Sequence, residues 1–393
     1  MRWERVSLGD VVTFRGGGTP RKDVPEYWGP DVPWATVKDF KSLTISTTAD
    51  SISEIGLASS AANLIPAGHV IIPTRMALGK AAINAIDLAI NQDLRALIPR
   101  VEVDPVYLLH SILGLAKIIE RHGSGATVKG ITQDKLAALQ IPLPPLEEQK
   151  RIAAILNAAD ALRAKRRQTL AELDTLLQST FLDMFGDPVT NPKGWEVKAL
   201  KDGVESFEGG RNLMPIERER RDRIRVLKVS AVTSGEYRPD ESKPFSQNEP
   251  IQESHMVRNG DLLISRANTA DLVGAVVYVW NTEGREMLPD KLWRFVLSDP
   301  RIIEPLFLLH VARSDYFRRQ LIQRATGTSG SMKNIGKTKM LSIQVPFPPL
   351  SLQRHFATIV ESVEQQKARL RAHLTELDTL FASLQSRAFK GEL

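Results

Sequence analysis

The sequence contains no cysteine in 393 residues, which excludes a disulfide framework and any zinc site built on thiolates. It has no uninterrupted apolar run of about 18 residues, so it offers no membrane-spanning helix. Met1-Arg2-Trp3-Glu4-Arg5 lacks the apolar core of a signal peptide. These absences point to a cytoplasmic protein with no membrane partner. Neither charge sign dominates: 52 Lys and Arg face 46 Asp and Glu, a net charge of +6. A reader of polyanions this balanced must place its cations locally, because gross charge would not hold it on nucleic acid. The seven histidines show no metal-ligand spacing. The length suits two to three domains.

What the chain does have is an internal repeat. Ile141-Pro142-Leu143-Pro144-Pro145-Leu146-Glu147-Glu148-Gln149 returns 204 residues later as Val345-Pro346-Phe347-Pro348-Pro349-Leu350-Ser351-Leu352-Gln353. Glu172-Leu173-Asp174-Thr175-Leu176 returns as Glu376-Leu377-Asp378-Thr379-Leu380 at the same offset, and Phe185 as Phe389. Between Pro142 and Phe185 roughly seventeen of forty-four positions are identical without a gap, too many for chance. Upstream the likeness weakens. Pro105-Val106-Tyr107-Leu108-Leu109-His110 matches Pro305-Leu306-Phe307-Leu308-Leu309-His310, and Gly68-His69-Val70 matches Gly260-Asp261-Leu262. Each half is therefore one diverged globular unit followed by one shared tail.

The tails read as long helices. Apolar residues fall at Ile152, Ile155, Ala159, Leu162, Leu170, Leu173, Leu177 and Phe181, and in the second copy at Phe356, Ile359, Val363, Leu370, Leu374, Leu377, Phe381 and Leu384. Steps near 3 and 4 describe one helix face. Glu147 and Glu148 suit the positive end of the helix dipole, and Gly186-Asp187-Pro188 ends the first tail. A helix of about 40 residues is roughly 60 Å long, so the two apolar seams are expected to bury against each other as an antiparallel pair. The expected segments are globular units at 1–145 and 187–349, with helices at 146–186 and 350–393. The globular units read as mixed α/β. Val70-Ile71-Ile72 and Ala96-Leu97-Ile98 look like strands, and 106–121 has helical spacing. Asp261 to Ser265, Arg294 to Leu297 and a helix over 304–323 match them in the second unit.

Several loops combine glycine with basic or hydroxyl residues. In Phe14-Arg15-Gly16-Gly17-Gly18-Thr19-Pro20-Arg21-Lys22, either a flexible turn forms, or the backbone at Gly17 and Thr19 approaches phosphate with Arg15 and Lys22 beside it. Thr74-Arg75-Met76-Ala77-Leu78-Gly79-Lys80 and Ser265-Arg266-Ala267-Asn268-Thr269 each follow a strand, and Arg75 is set against Arg266 in this alignment. An arginine at a strand end can reach guanine bidentately and Asn268 can pair with adenine; a surface salt bridge accounts for either arginine equally well. Gly123-Ser124-Gly125-Ala126-Thr127 leads to Lys129, and the loop from Gly327, matched to Gly123, leads to Lys333; both lysines are read as phosphate contacts. Lys80, Thr127 and Arg211 complete the candidate DNA-binding set. The run Arg218-Glu219-Arg220-Arg221-Asp222-Arg223 is mixed in sign and reads as a solvated face.

The repeated Pro-Leu-Pro-Pro-Leu-Glu-Glu-Gln stretch leading into a long helix, once after each of two variable regions, closely resembles the specificity subunit of type I restriction–modification systems. The resemblance covers the whole chain in order. It implies that each variable region is a target recognition domain reading one half of a bipartite double-stranded DNA site, and that the helices are a spacer. It implies partners: two modification subunits, which bind S-adenosylmethionine and methylate adenine, and restriction subunits, which use ATP and Mg. No cofactor is then bound by this chain, and no catalytic residue is expected. Two other readings compete. One is a coiled-coil adaptor that binds only proteins. The other is a metal-dependent nuclease using Asp31, Asp39 and Lys41, a short pattern with no counterpart in the second unit.

Overall fold

In the computed structural model, the structure describes residues 3–125, 127–211, 224–244, 251–299, 301–327 and 332–393. The charged run at 218–223 and Ala126 lie outside the described residues. Contacts divide the chain into two compact units, one of Met1–Gln168 with Leu370–Leu393, the other Thr169–Arg369. Each long helix is thus shared between them.

The first unit carries a five-stranded sheet in the order Val12–Gly16, Leu94–Pro99, Val70–Pro73, Ala82–Asn84, Thr44–Ile45, and a four-stranded sheet in the order Asp50–Ile52, Val32–Ala35, Leu88–Ile90, Asn63–Ile65. Val70, Ile71 and Ile72 are all buried, which is why this central strand reads as a continuous apolar run instead of an alternating one. The second unit has a four-stranded sheet, Val204–Gly209, Leu292–Leu297, Leu262–Ser265, Val276–Tyr278, and a three-stranded one, Ser242–Pro244, Arg225–Leu227, Glu286–Met287. The mixed α/β class is as expected. Where one helix was expected in each head, two stand. Pro105–Gly114 is followed by Ala116–His122, and Pro305–Arg313 by Asp315–Arg324. Ser314 causes the second break: its backbone is extended and its hydroxyl accepts from the Phe317 amide, a cap that starts a new helix.

The repeated tails form helices at Leu146–Phe185 and Leu350–Ala388. Within the first unit they run antiparallel, since Arg163 meets Asp378 while Arg151 reaches the Leu393 carbonyl. Within the second unit Asp174 meets Lys367 and Phe181 meets Phe356, again antiparallel. The apolar seam is not continuous, however. Leu162, placed on it by periodicity, is 56% exposed, whereas Leu156 is buried. The burial instead lies toward the helix ends, against the heads. Ile152, Leu156 and Ala388 join the first head's core, and Leu177, Phe181, Phe185, Phe356 and Val360 join the second's.

Ion pairs fill the intervening stretch, and they obey the repeat. Arg163 bridges Asp160 on its own helix and Asp378 on the other, both at 2.6 Å. Its repeat mate Lys367 bridges Glu364 and Asp174, also both at 2.6 Å. Asp160, Arg163 and Asp174 recur 204 residues on as Glu364, Lys367 and Asp378, so each triad is built from the same three repeat positions.

The Pro-Pro-Leu-x-x-Gln motif joins head to helix in the same way twice. Buried Gln149 accepts from the Asp104 amide at 2.9 Å and donates to the Pro144 carbonyl at 2.9 Å. Buried Gln353 accepts from the Glu304 amide at 2.9 Å and donates to the Pro348 carbonyl at 2.8 Å. A buried primary amide suits this joint because it supplies both a donor and an acceptor without charge.

Candidate nucleic-acid interface

In the first head, the strand Val70–Pro73 continues into residues 74–76, which pair with the segment arriving from the glycine loop. The Ile131 amide donates to the Thr74 carbonyl at 2.9 Å, Arg75 bridges Gly130, and the Met76 amide donates to the Lys129 carbonyl at 3.2 Å. Gly125 closes the loop at φ +132, where a side chain would meet the Val128 carbonyl at 2.2 Å. Beneath this bridge lies a cleft of about 730 Å³ lined by Arg75, Gln92, Asp93, Arg95, Ser124 and Gln133 among others. Arg75 is held only loosely, 3.7 Å from Asp93, and its side chain is 63% exposed. Met76 stands exposed in the left-handed region at φ +64, and Val128 is exposed at the loop tip. A non-glycine residue held there costs of order 1 kcal/mol, and such strain gathers at functional sites.

The second head repeats the arrangement. Ala267–Asn268 pairs with Lys333–Asn334, and the Ile335 amide donates to the Arg266 carbonyl at 3.0 Å. Gly327 closes its loop at φ +136, against the Met332 carbonyl. Exposed Met332 takes the place of Val128.

The family model for the type I restriction modification DNA specificity domain matches residues 1–174. The type I restriction enzyme MjaIX specificity subunit of Methanocaldococcus jannaschii is 29% identical over 230 residues, 53% of either chain. Residues 1–174 thus resemble the DNA specificity domain of type I restriction–modification systems. The match spans about half the length of the curated relatives that head the comparison. The fold is that of the S subunit from M. genitalium, with a TM-score of 0.61 at 14% identity, covering 98% of this chain and 96% of that one. It is also shared with a chain solved in work on complex assembly and conformational transition of the type I R-M system, with a TM-score of 0.53 at 19% identity over 100% and 98% of the chains.

The candidate residues fall as follows. Arg75 and Lys129 share the first bridge; Arg266, Asn268 and Lys333 share the second. Thr127 is exposed on the first loop. Arg15 and Lys22 are exposed, and Thr19 bonds the Gln92 side chain at the cleft's edge. Lys80 donates to the Phe40 carbonyl at 3.3 Å, and Arg211 is exposed beside the undescribed segment.

Three expectations need correction. Arg75 is not the counterpart of Arg266. The Thr74 amide bonds the Asp93 carbonyl and the Arg266 amide bonds the Lys291 carbonyl, so Arg266 stands where Thr74 does, and Arg75 corresponds to Ala267. Arg266 is occupied by its own head: it donates to the Asp290 carbonyl and to Asn334 and lies 5.5 Å over the Trp293 ring. Likewise Gly123 does not match Gly327. Ser124 pairs with Gly130 as Thr326 pairs with Asn334, so Gly125 is the counterpart and the second loop is two residues longer. Gly17 is required by packing. A side chain there would sit 1.9 Å from the Ile90 carbonyl, and Gly210 makes the same approach to Leu288 at 1.6 Å.

Sequence reasoning missed Gln92, Asp93 and Arg95. They sit on and after the turn that leads into Leu94–Pro99, and only the strand pairing brings that turn beside Arg75. The nuclease reading loses its central carboxylate. Asp39 is buried and accepts from the Thr36 and Ala49 amides at 2.7 and 2.8 Å, forming a capping box. Among the described residues no group of three or more His, Cys, Asp or Glu could hold a metal. No helix among them is long and apolar enough to cross a membrane.

Proposed function

We propose that this chain is the DNA sequence-specificity subunit of a type I restriction–modification enzyme, reading a two-part, asymmetric duplex site and carrying out no chemistry itself. The observation that carries the reading is one bridge-and-loop frame built twice, with different side chains on it, above tails that have kept more of their sequence. A shared frame with altered side chains is what two different half-sites call for, and a better-kept tail is what two copies of one partner call for. The first head contributes exposed Arg75 and Lys129 near a strand end, and the second half-buried Lys333; an arginine fork matches guanine O6 and N7 and lysine neutralises phosphate.

Modification subunits are assigned to the helical tails, two per chain. Leu176 and its repeat mate Leu380 are 49% and 50% exposed. Paired exposed leucines at repeat positions suit two identical protein surfaces. S-adenosylmethionine belongs on this reading to the modification subunits, and ATP with Mg to restriction subunits, in the cytoplasm. The chain's own part is to bind, orient and space.

The test is an electrophoretic shift of duplex DNA by the chain with its modification subunit at several salt concentrations. Affinity should fall steeply with salt, and Lys129→Ala should reduce the slope of log K against log salt by about one. Absence of salt-sensitive binding would favour a protein-only adaptor. Replacing residues 1–145 by another such head should alter one half-site alone.

A further inference from the structure

Superposing the two hydrogen-bond frames gives a position-by-position correspondence that residue matching alone does not. Pro73 pairs with Leu94 as Ser265 pairs with Leu292. Gly16 pairs with Arg95 as Gly209 pairs with Trp293. From these anchors Arg75 corresponds to Ala267, Gln92 to Asp290, Asp93 to Lys291 and Arg95 to Trp293. The backbone of the frame is preserved, while every one of these four side chains changes class: cation to methyl, amide to carboxylate, carboxylate to cation, cation to indole. Lys129 and Lys333, on the facing strand, do not change, and neither does the apolar character of the exposed tips Val128 and Met332.

Stability does not call for this pattern. Ile131 and Ile335, on the same frame, are both apolar and buried. Exchange at a cleft wall, beside an invariant cation, separates two tasks. The invariant lysine meets something common to both half-sites, which is the sugar–phosphate backbone. The exchanged positions meet something that differs between them, which is base edges. The first head offers Arg75 and Gln92, whose forks match guanine and adenine. The second offers Asp290, an acceptor suited to the cytosine amino group, and Lys291.

We propose that three corresponding positions, 75/267, 92/290 and 93/291, are the specificity-determining positions of the two heads, and that Lys129 and Lys333 are sequence-neutral anchors. The proposal rests on the specificity-subunit reading above. Asp93 holds the Arg75 guanidinium near its side of the cleft, at 3.7 Å, loosely enough for the fork to turn to a base. Asp93 is therefore a positioning residue for Arg75.

Methylome sequencing of cells carrying the full-length chain tests this, with Arg75→Ala, Arg75→Lys, Gln92→Ala and Lys129→Ala compared with the unaltered gene. Arg75→Ala is expected to relax one base, or two adjacent ones, in one half-site, with discrimination there falling roughly five- to a hundredfold. Arg75→Lys should relax the same base less. Gln92→Ala should relax a neighbouring base of the same half-site. The other half-site stays unaltered in each. Lys129→Ala should lower methylation at all sites without altering the motif. A motif unchanged base for base in both Arg75→Ala and Gln92→Ala overturns the proposal, and so does relaxation in Lys129→Ala. Loss of all methylation in Arg75→Ala together with an unchanged motif in Gln92→Ala also overturns it. If the unaltered gene yields no two-part motif, the specificity-subunit reading itself fails, which is a distinct result.

Discussion

Replacing Gln149 by methionine should cost about 3 kcal/mol of the stability of the first unit. Methionine matches glutamine in length and fills the same space, so packing is nearly kept and the amide alone is removed. Two hydrogen bonds are lost, to the Asp104 amide and the Pro144 carbonyl. Each contributes about 0.5–1.5 kcal/mol net. The side chain is 1% exposed, so water does not replace it, and stranding the Asp104 N–H adds about 1–3 kcal/mol. In a unit of roughly 200 residues a loss of about 3 kcal/mol lowers the melting temperature by about 6–12 °C. Gln353→Met should do the same to the second unit through Glu304 and Pro348. With no shared partners, the two losses should be additive. Differential scanning calorimetry of the wild type, both single variants and the double variant measures this. A Gln149→Met variant melting within 1 °C of wild type would refute the claim that this amide locks head to helix.

Lys367→Met should destabilise the second unit by about 3 kcal/mol, since water relieves Asp174, 63% exposed, but scarcely reaches Glu364, 16% exposed; urea titration of Lys367→Met and Lys367→Met/Asp174→Asn measures the coupling. Gly17→Ala should cost about 3 kcal/mol or more by driving the Ile90 carbonyl aside, seen as a fall in the urea midpoint. Acid should destabilise the fold through its buried histidines. His310, packed against Phe181 and Phe356, is held down to about 3 by desolvation, with Arg313 and Lys367 acting the same way, and burial lowers His110 as well. His310 stays neutral when folded while an unfolded chain protonates it below about pH 6.5, so stability should fall below that pH, by up to about 1.4 kcal/mol per pH unit from His310, with His110 acting in the same direction. His310→Phe should flatten this acid limb between pH 6.5 and 4, measured by urea midpoints across pH. Deleting about one helical turn from both tails should alter half-site spacing and leave half-site bases unchanged, read by methylome sequencing.

The tandem design was legible because the tails repeat without a gap, and the helices because their apolar spacing is regular. Leu162 misled because periodicity records which face a residue is on and not what covers it; the ion triads that replace the seam were visible only as scattered charges. Arg75 and Arg266 were set together because each follows a short apolar strand, and a slip of one residue costs nothing in a sequence alignment. In a ladder it moves every side chain to the other face, so the amide of Arg266 bonding Lys291 decides the matter. Gly17 looked functional because close backbone approach to phosphate and to a neighbouring carbonyl demand the same residue. Gln92, Asp93 and Arg95 carried no local signal, since what makes them part of the cleft is a strand pairing across some twenty residues.

The most direct measurement is methylome sequencing of the source cells with and without this gene. The expected result is an interrupted motif with two different half-sites whose methylation disappears when the gene is removed. Methylation that persists unchanged without the gene, or a lost motif that is a single uninterrupted palindrome, would contradict the reading of two differently specified heads.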